Sequence, residues 1–234
     1  RETSPLASGE DWSAVVGINI APVASGDSVP LYGVVAALHN RCGHEATDYD
    51  VTSLSDMIDG VVIESTQTGA EAINSLIGTH WADPADYDGK IRYIKRGAPV
   101  VRTLTIDDLI DEPETWQRNN AIEYPAKMHF FGQIADLAYA SVKATSARYS
   151  ADVKVVGEVS VSSPETFNDS TRPYEIAAIL HKILWAEANG EVTWRVTDEH
   201  IDLVQTDCVG LAWAGQLWRA RITQIEADPG ELKL

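Results

Sequence analysis

The chain has 234 residues, a hydrophobic content of 44% and seven tryptophans, which is enough apolar material for one large domain or two small ones. Its formal charge is −17, so its surface should repel phosphate groups, and this argues against specific nucleic-acid binding. No run approaches the roughly 20 apolar residues that a membrane span requires. The two cysteines, Cys42 and Cys208, are too few and too far apart for a disulfide framework, and we interpret both as buried thiols.

Residues 1–27 are rich in Gly, Ser, Ala and Pro, and they contain neither an initiator methionine nor the apolar stretch of a signal peptide. We predict that they form a linker or the tail of a preceding domain. The chain is then expected to be a processed product or a piece of something longer.

The first of three predicted helices covers about residues 28–42. Ser28 can act as its N-cap, Pro30 lies in its first turn, and Gly43 stops it. Its apolar stripe has helical spacing and consists of Leu31, Val34, Val35, Leu38 and Cys42.

Capping signals predict the other two helices. Thr68 and Glu71 form a capping box ahead of an apolar face that consists of Ala72, Ile73, Leu76 and Ile77. The third helix follows Ser170–Pro173 and ends at Asn189–Gly190. Its apolar residues are Ile176, Ile179, Leu180, Ile183 and Leu184.

A sharp hairpin is predicted after the second helix, because Asp88–Gly89 is a two-residue turn sequence. The segment "KIRYIK", residues 90–95, then alternates roughly between polar and apolar positions. The hairpin therefore has a basic outer face in a strongly acidic chain. Its six candidate functional residues are Asp88, Gly89, Lys90, Arg92, Lys95 and Arg96.

Short strands are predicted over most of the remaining chain, with a composition shift at Gly97–Pro99 that we interpret as a domain boundary. The last two predicted strands, 209–213 and 217–226, are joined by a tight turn at residues 214–216. The predicted fold class is α+β. A small α/β domain with two amphipathic helices and a β-hairpin covers residues 28–98, and a β-rich, barrel-like domain with one packed helix covers residues 99–234. The other predicted strands are 60–65, 100–106, 116–122, 127–133, 153–161, 192–196 and 200–204.

Two polar motifs could in principle bind metal ions, but each has a simpler interpretation. "HNRCGH" brings together His39, Cys42 and His44, yet the chain supplies no second cluster for a zinc site, and Cys42 lies on the apolar stripe of the first helix. "DYDVTSLSDMID", residues 48–59, lacks the glycine and the final glutamate of a calcium loop. We therefore predict no metal and no other cofactor.

Catalytic motifs are also lacking. "IDDLIDEPE" supplies five carboxylates, but a dense acidic run is usually a solvated surface, and no nucleophile elbow, metalloprotease motif or phosphate-binding loop is present. The tryptophans near the C-terminus fit an aromatic core or a subunit contact better than a carbohydrate platform. We predict that the chain is not an enzyme. A cell-wall hydrolase and a carbohydrate-binding module are the alternatives.

The order of three segments resembles a known family. The helix "VPLYGVVAALHNRCG", the segment "ATDYDVTSLSDMIDGVVIESTQTGAEAINSLI" and the hairpin "ADYDGKIRYIKRG" are similar to the phage tail protein family found in tail-tip hub proteins of long-tailed phages and gene transfer agents. The resemblance is good over residues 28–105, continues through the third helix and departs over residues 131–160. The residues that match the family's motifs are Asp48, Asp50, Val51, Thr52, Leu54, Gly60, Val62, Ile63, Ala70, Glu71, Ala72, Asp88, Gly89, Lys90, Ile91, Arg96 and Gly97.

This resemblance implies a structural protein of the virion tail tip or baseplate hub, with a tail-tube-like second domain. The implied assembly is a homo-oligomeric ring, expected to be a trimer, that continues the tail tube and connects it to the parts that determine host specificity. The implied partners are distal tail, tube, fibre or spike proteins, and DNA would pass through the ring during ejection without specific binding.

Two surfaces are expected to serve that assembly. The basic hairpin is suited to an acidic neighbour, although a solvated hairpin would have the same pattern. An acidic stretch is expected to face the DNA path, where like-charge repulsion would keep the passage free, although an outer solvated turn is the alternative. The acidic residues are Asp107, Asp108, Asp111, Glu112 and Glu114.

Overall fold

The computed structural model describes most of the chain after residue 27, so the predicted linker over residues 1–27 lies outside the described residues. The described part contains three α-helices and many short strands, which confirms the predicted α+β class. The helices are α1 (Leu31–Arg41), α2 (Gly69–Ile77) and α3 (Arg172–Glu187). The described ranges are 28–63, 67–110, 115–117, 124–148, 157–187, 190–213, 215–228 and 231–234.

The strands are short, and most lie after residue 98. They are β1 (Val29–Pro30), β2 (Tyr49–Asp50), β3 (Met57–Ile58), β4 (Gly60–Val61), β5 (Ala82–Tyr87), β6 (Lys90–Lys95), β7 (Arg102–Thr105), β8 (Thr115–Gln117), β9 (Pro125–Ile134), β10 (Ala140–Ala147), β11 (Gly157–Phe167), β12 (Glu191–Thr193), β13 (Arg195–Thr197), β14 (Cys208–Trp213), β15 (Gln216–Arg221), β16 (Glu226–Asp228) and β17 (Glu231–Lys233).

The start of α2 follows its local signal, whereas the start of α1 does not. The capping box of α2 is present, since Thr68 Oγ1 accepts from the Glu71 amide and the Glu71 carboxylate accepts from the Thr68 amide. Helix α3 buries Ile176 and Leu180 of the predicted apolar face, while Ile179 and Ile183 are only half-buried, and its predicted end at Asn189 lies outside the described residues. Helix α1 begins later than predicted, because Ser28 donates its hydroxyl to Asp59 and β1 pairs with β3 instead of joining the helix.

The predicted barrel is not closed in the part of the chain that the structure describes. The strands after residue 98 belong to four separate sheets, in the orders β10-β9-β11-β4, β12-β8, β13-β17-β16 and β15-β14-β7. The strand predicted over residues 200–204 is absent, because Asp198–His200 forms a 3₁₀ turn.

Three hydrophobic clusters hold these elements together. One consists only of residues between Leu31 and Tyr93 and joins α1, α2 and the hairpin. A second packs α3 against β9 and β10, with Phe130 and Phe167 at its centre. The third lies under β7 and β14. The domain boundary at residue 98 stays a prediction, although the first cluster lies wholly before it.

Several contacts join the segment before residue 98 to β11. Strand β4 pairs antiparallel with β11, and the Val62 amide donates to the Pro164 carbonyl at 2.8 Å. Buried Glu165 of β11 lies 3.1 Å from His80 Nε2. The segment before residue 98 is therefore anchored to β11, the longest described strand, by backbone pairing and by a buried polar contact. None of the described helices is long and apolar enough to cross a membrane.

Candidate functional site

The predicted hairpin is present, with the register that its sequence implies. Strands β5 and β6 are antiparallel, and Tyr87 pairs with Lys90 across the turn. Asp88 and Gly89 have φ values of 53° and 72°, which is the left-handed pair that a type I′ turn requires. Each strand has six residues, so the tip lies about 17 Å from the base of the hairpin.

At the base of the hairpin, two of the four basic residues are used internally. Lys95 Nζ lies 2.6 Å from Asp56 Oδ2. The Arg96 guanidinium binds Asp83 in a bidentate manner, with its Nε 2.7 Å from Oδ2 and its Nη2 2.8 Å from Oδ1. These hydrogen bonds raise the pKa of Arg96. The base of the hairpin is therefore part of the fold and not a free basic surface.

A wider ion network ties this base to two distant elements. Arg96 Nη1 lies 3.3 Å from a carboxylate oxygen of Glu187, the last residue of α3. Arg221, the last residue of β15, contacts Glu187 at 3.0 Å and Asp83 at 3.4 Å. Two cations and two carboxylates thus alternate where the hairpin, α3 and β15 meet, and their charges offset one another.

The tip of the hairpin is different, because its two basic residues line an open groove. The Arg92 guanidinium lies 5.3 Å from the centroid of the Tyr87 ring, and its Nε is 3.8 Å from Asp50. Asp50 accepts from both the amide and the hydroxyl of Thr52, and these bonds lower the pKa of Asp50. We call this site, of about 620 Å³, the tip groove. It is lined by Ala46, Tyr49, Asp50, Val51, Thr52, Tyr87, Asp88, Lys90 and Arg92.

The acidic stretch is divided by the structure. Asp107 is exposed, whereas Asp108 caps a 3₁₀ turn by accepting from the amide and the hydroxyl of Thr105. These bonds lower the pKa of Asp108, and His200 Nε2 lies 3.3 Å from its other oxygen. Asp111, Glu112 and Glu114 lie outside the described residues. The orientation of the stretch toward a DNA path stays a prediction.

Of the His-Cys motif, only His39 is buried, and the prediction that both cysteines are buried is wrong, because Cys42 and Cys208 are partly exposed. His39 is buried in α1, stacks on Tyr49 at a centroid distance of 4.4 Å and has its Nε2 2.7 Å from the Tyr93 hydroxyl. Burial also raises the pKa of the Cys42 thiol. In the described ranges, no group of three or more His, Cys, Asp or Glu side chains could hold a metal ion.

Burial lowers the pKa of His39 to about 4, with a smaller contribution from the nearby charge of His44, while Asp48 acts in the opposite direction. The unfolded chain takes up this proton near pH 6.5, so the contribution of neutral His39 is fully present above that pH and is lost as the pH falls toward 4. We expect the free energy of unfolding, measured in urea, to fall by on the order of 1 kcal/mol through this group between pH 6.5 and pH 5. The free energy of unfolding should depend less steeply on pH in His39→Gln. An unchanged dependence on pH would show that His39 is not the group responsible.

Comparisons with known proteins find similarity to phage tail and virion proteins. The model of the family described as "Putative phage tail protein" matches residues 68–225. A chain in the virion of a native gene transfer agent particle is similar in fold, with a TM-score of 0.73, 21% identity and coverage of 99% of this chain. The 43 kDa tail protein of prophage MuSo2 from Shewanella oneidensis gives a TM-score of 0.54 at 14% identity over 87% of this chain. A tail protein from Neisseria meningitidis MC58 gives a TM-score of 0.51 at 11% identity over 88% of this chain.

The chain spans only part of these proteins, namely 52% of the gene transfer agent chain, 64% of the Shewanella protein and 67% of the Neisseria protein. At these identities the likeness concerns the fold. No curated protein sequence matches the chain.

Proposed function

The chain belongs to the phage tail protein family, and from that premise we propose that it is a structural component of the tail tip or baseplate hub of a phage or gene transfer agent. It forms a homo-oligomeric ring, a trimer, that continues the tail tube and connects it to the proteins that recognise the host. The observation that carries the proposal is the family match over residues 68–225, which extends from the capping box of α2 to the loop after β15.

The structure supports a role in assembly through the contrast between the two ends of the hairpin. Its base is held by the ion network of Arg96, Asp83, Glu187 and Arg221, so the hairpin is a fixed element of the fold. Its tip presents an open groove lined by two cations, two carboxylates and two tyrosines. A rigid projection with a mixed aromatic and charged tip is suited to contact with another protein.

A cell-wall hydrolase is the alternative from another class. Asp108, one of the two described carboxylates of the acidic stretch, is engaged in capping a 3₁₀ turn and is not free to act as a catalytic acid or base. A turbidity assay on peptidoglycan separates the two functions, and we expect no clearing. Clearing that is lost in Asp107→Asn would favour the hydrolase.

The ring itself is tested by light scattering on the purified chain. At micromolar concentration we expect the molar mass of three chains. We also expect antibody labelling under the electron microscope to detect the chain in purified tails. A stable monomer that is also missing from the particle would contradict the proposal.

A further inference from the structure

We propose that residues 13–20 of this chain bind as a strand to the free side of β11, in line with β4, and so add a fifth strand to the sheet β10-β9-β11-β4. These residues lie outside the described part of the chain. The contact lies within one chain, so it is independent of the proposed function.

One side of β11 is open over residues 157–162, a stretch that we call the open edge. On its other side β11 pairs with β9 along its length, whereas β4 covers the open side only at Glu165 and Thr166. In the described ranges no further strand pairs with β11. Residues 158–160 and residue 162 are exposed. The open edge is therefore accessible, and its unpaired backbone groups can accept a strand.

The two faces of the open edge differ in polarity. Val161 packs against the cluster of α3 and β9, and Val159 follows on the same face, beside Met128. Met128 is fully buried, but Val159 is 36% exposed, because it lies one strand farther out. Ser160 and Ser162 lie on the opposite face. A strand that fits must bring apolar side chains to the α3 face and small or polar side chains to the other.

The segment "SAVVGINI", residues 13–20, has this alternation. One face of such a strand carries only apolar side chains, and the other is mostly small or polar. The apolar face consists of Ala14, Val16, Ile18 and Ile20. The other face consists of Ser13, Val15, Gly17 and Asn19. The segment contains no charged residue, so pairing with β11 removes none of its own charges from water.

The described part of the chain begins near one end of β11. Ser28 Oγ donates to Asp59 Oδ1 at 3.1 Å. The amide of Asn168, the residue directly after β11, donates to the other oxygen of Asp59 at 2.9 Å. One carboxylate thus joins Ser28 to the C-terminal end of β11, and the preceding residues reach the sheet from there.

The length of the connection determines the direction of the added strand. Residues 21–27 allow Ile20 to lie up to about 26–29 Å from residue 28. Beside Ser162, Ile20 would be roughly 15 Å from Asn168, which is within this reach. Beside Gly157 it would be about 33 Å from Asn168, which is beyond it. The added strand therefore runs parallel to β11.

The opposite edge of the sheet, β10, is less suited to this segment. Its α3 face is already covered, since Ala144 is fully buried and none of the large hydrophobic side chains of β10 is exposed. Lys143 is exposed on β10, and a lysine is typical of an edge strand that stays unpaired. The open edge of β11 has an uncovered valine and no lysine.

Hydrogen exchange on the full chain tests the added strand. In the parent chain, the amides of residues 158–162 that point away from β9 should be protected. Val16→Asp/Ile18→Asp places two charges on the apolar face and should speed the exchange of these amides at least about tenfold. Ala7→Asp/Gly9→Asp makes the same change in net charge outside the segment and should leave exchange within about twofold of the parent. Circular dichroism checks that both variants fold.

Disulfide formation provides a second measurement that adds no charge. Val159→Cys is combined in turn with a cysteine at each position from 13 to 18, and mass spectrometry identifies the linked peptides. Neighbouring strands lie about 4.8 Å apart, which is within the range of a disulfide. The yield should alternate along the segment, because only the even-numbered positions share the α3 face with Val159.

The inference is overturned if the amides of the open edge exchange equally fast in the parent chain and in Val16→Asp/Ile18→Asp, or if Ala7→Asp/Gly9→Asp acts like that variant. Disulfide yields that do not alternate would show that residues 13–18 do not form a strand against β11. Disulfides that form only between chains would overturn the assignment to the same chain and would identify a second copy as the source of the strand.

Discussion

Replacing Glu165 with alanine is expected to lower the free energy of unfolding by about 1–3 kcal/mol, because it removes one hydrogen-bond partner from a buried polar cluster. Glu165 is 3% exposed and His80 is 2% exposed. The His80 ring lies between two carboxylates, with Nε2 3.1 Å from Glu165 and Nδ1 3.3 Å from Asp56, and Lys95 is bound to the same Asp56 oxygen at 2.6 Å. Without Glu165, one ring nitrogen of His80 would be buried without that carboxylate.

Urea unfolding followed by tryptophan fluorescence measures this loss. Glu175→Ala is the matched control, because Glu175 forms an exposed pair with Arg172 on the first turn of α3, and its removal should change stability by less than about 0.5 kcal/mol. A Glu165→Ala chain no less stable than this control would show that the buried cluster does not hold β11 to the segment before residue 98.

Replacing Gly132 with alanine is expected to cost about 1–3 kcal/mol through overpacking. A Cβ atom at this position would lie 2.6 Å from Cε2 of the Phe167 ring and 3.2 Å from the Phe130 ring. Both rings are fully buried in an edge-to-face contact with centroids 6.0 Å apart, so neither can move without disturbing the packing of α3 on β9.

Thermal and urea unfolding of three variants separate overpacking from a general loss of glycine. Gly132→Ala/Phe167→Leu should recover part of the stability lost in Gly132→Ala, because the smaller side chain makes room. Gly33→Ala should be neutral or stabilising, since Gly33 lies in α1 and its Cβ would meet only Pro30 at 3.7 Å. Equal losses in Gly132→Ala and Gly33→Ala would contradict the packing argument.

Local sequence predicted those features whose cause is local. The Asp88–Gly89 turn adopts the left-handed conformation that its residues favour, and the Thr68 capping box forms at the predicted helix start. The apolar spacing of α3 predicts part of the face that packs on β9, because Ile176, Leu180 and Leu184 join the cluster there. Each of these depends on residues within one or two turns of the chain, so a single sequence contains the information.

The partners of the charged residues could not be predicted in this way. The sequence grouped Lys95 and Arg96 with Lys90 and Arg92, but the structure separates them. Arg221 contacts Asp83, which lies 138 positions earlier in the chain, so local sequence spacing could not predict this contact. Asp108 was grouped with Asp107, yet a threonine three residues earlier makes it a cap, and that signal was present in "TIDD".

The closure of the predicted barrel also depends on contacts between distant residues, and the sequence did not predict them. Many short strands with hairpin turns predict a curved sheet, but closure depends on which strands become neighbours. In the described residues, β14 pairs with β15 on one side and with β7 on the other, and the sheet ends there. The parallel β14–β7 pair joins residues about one hundred positions apart, which periodicity cannot indicate.

An electron-microscopy map of the intact particle tests the central claim most directly. We expect density for this chain in a ring around the tail axis at the tip or baseplate. A map in which the tail tip is complete without this chain, or in which the chain occurs as single copies away from the axis, would contradict the account.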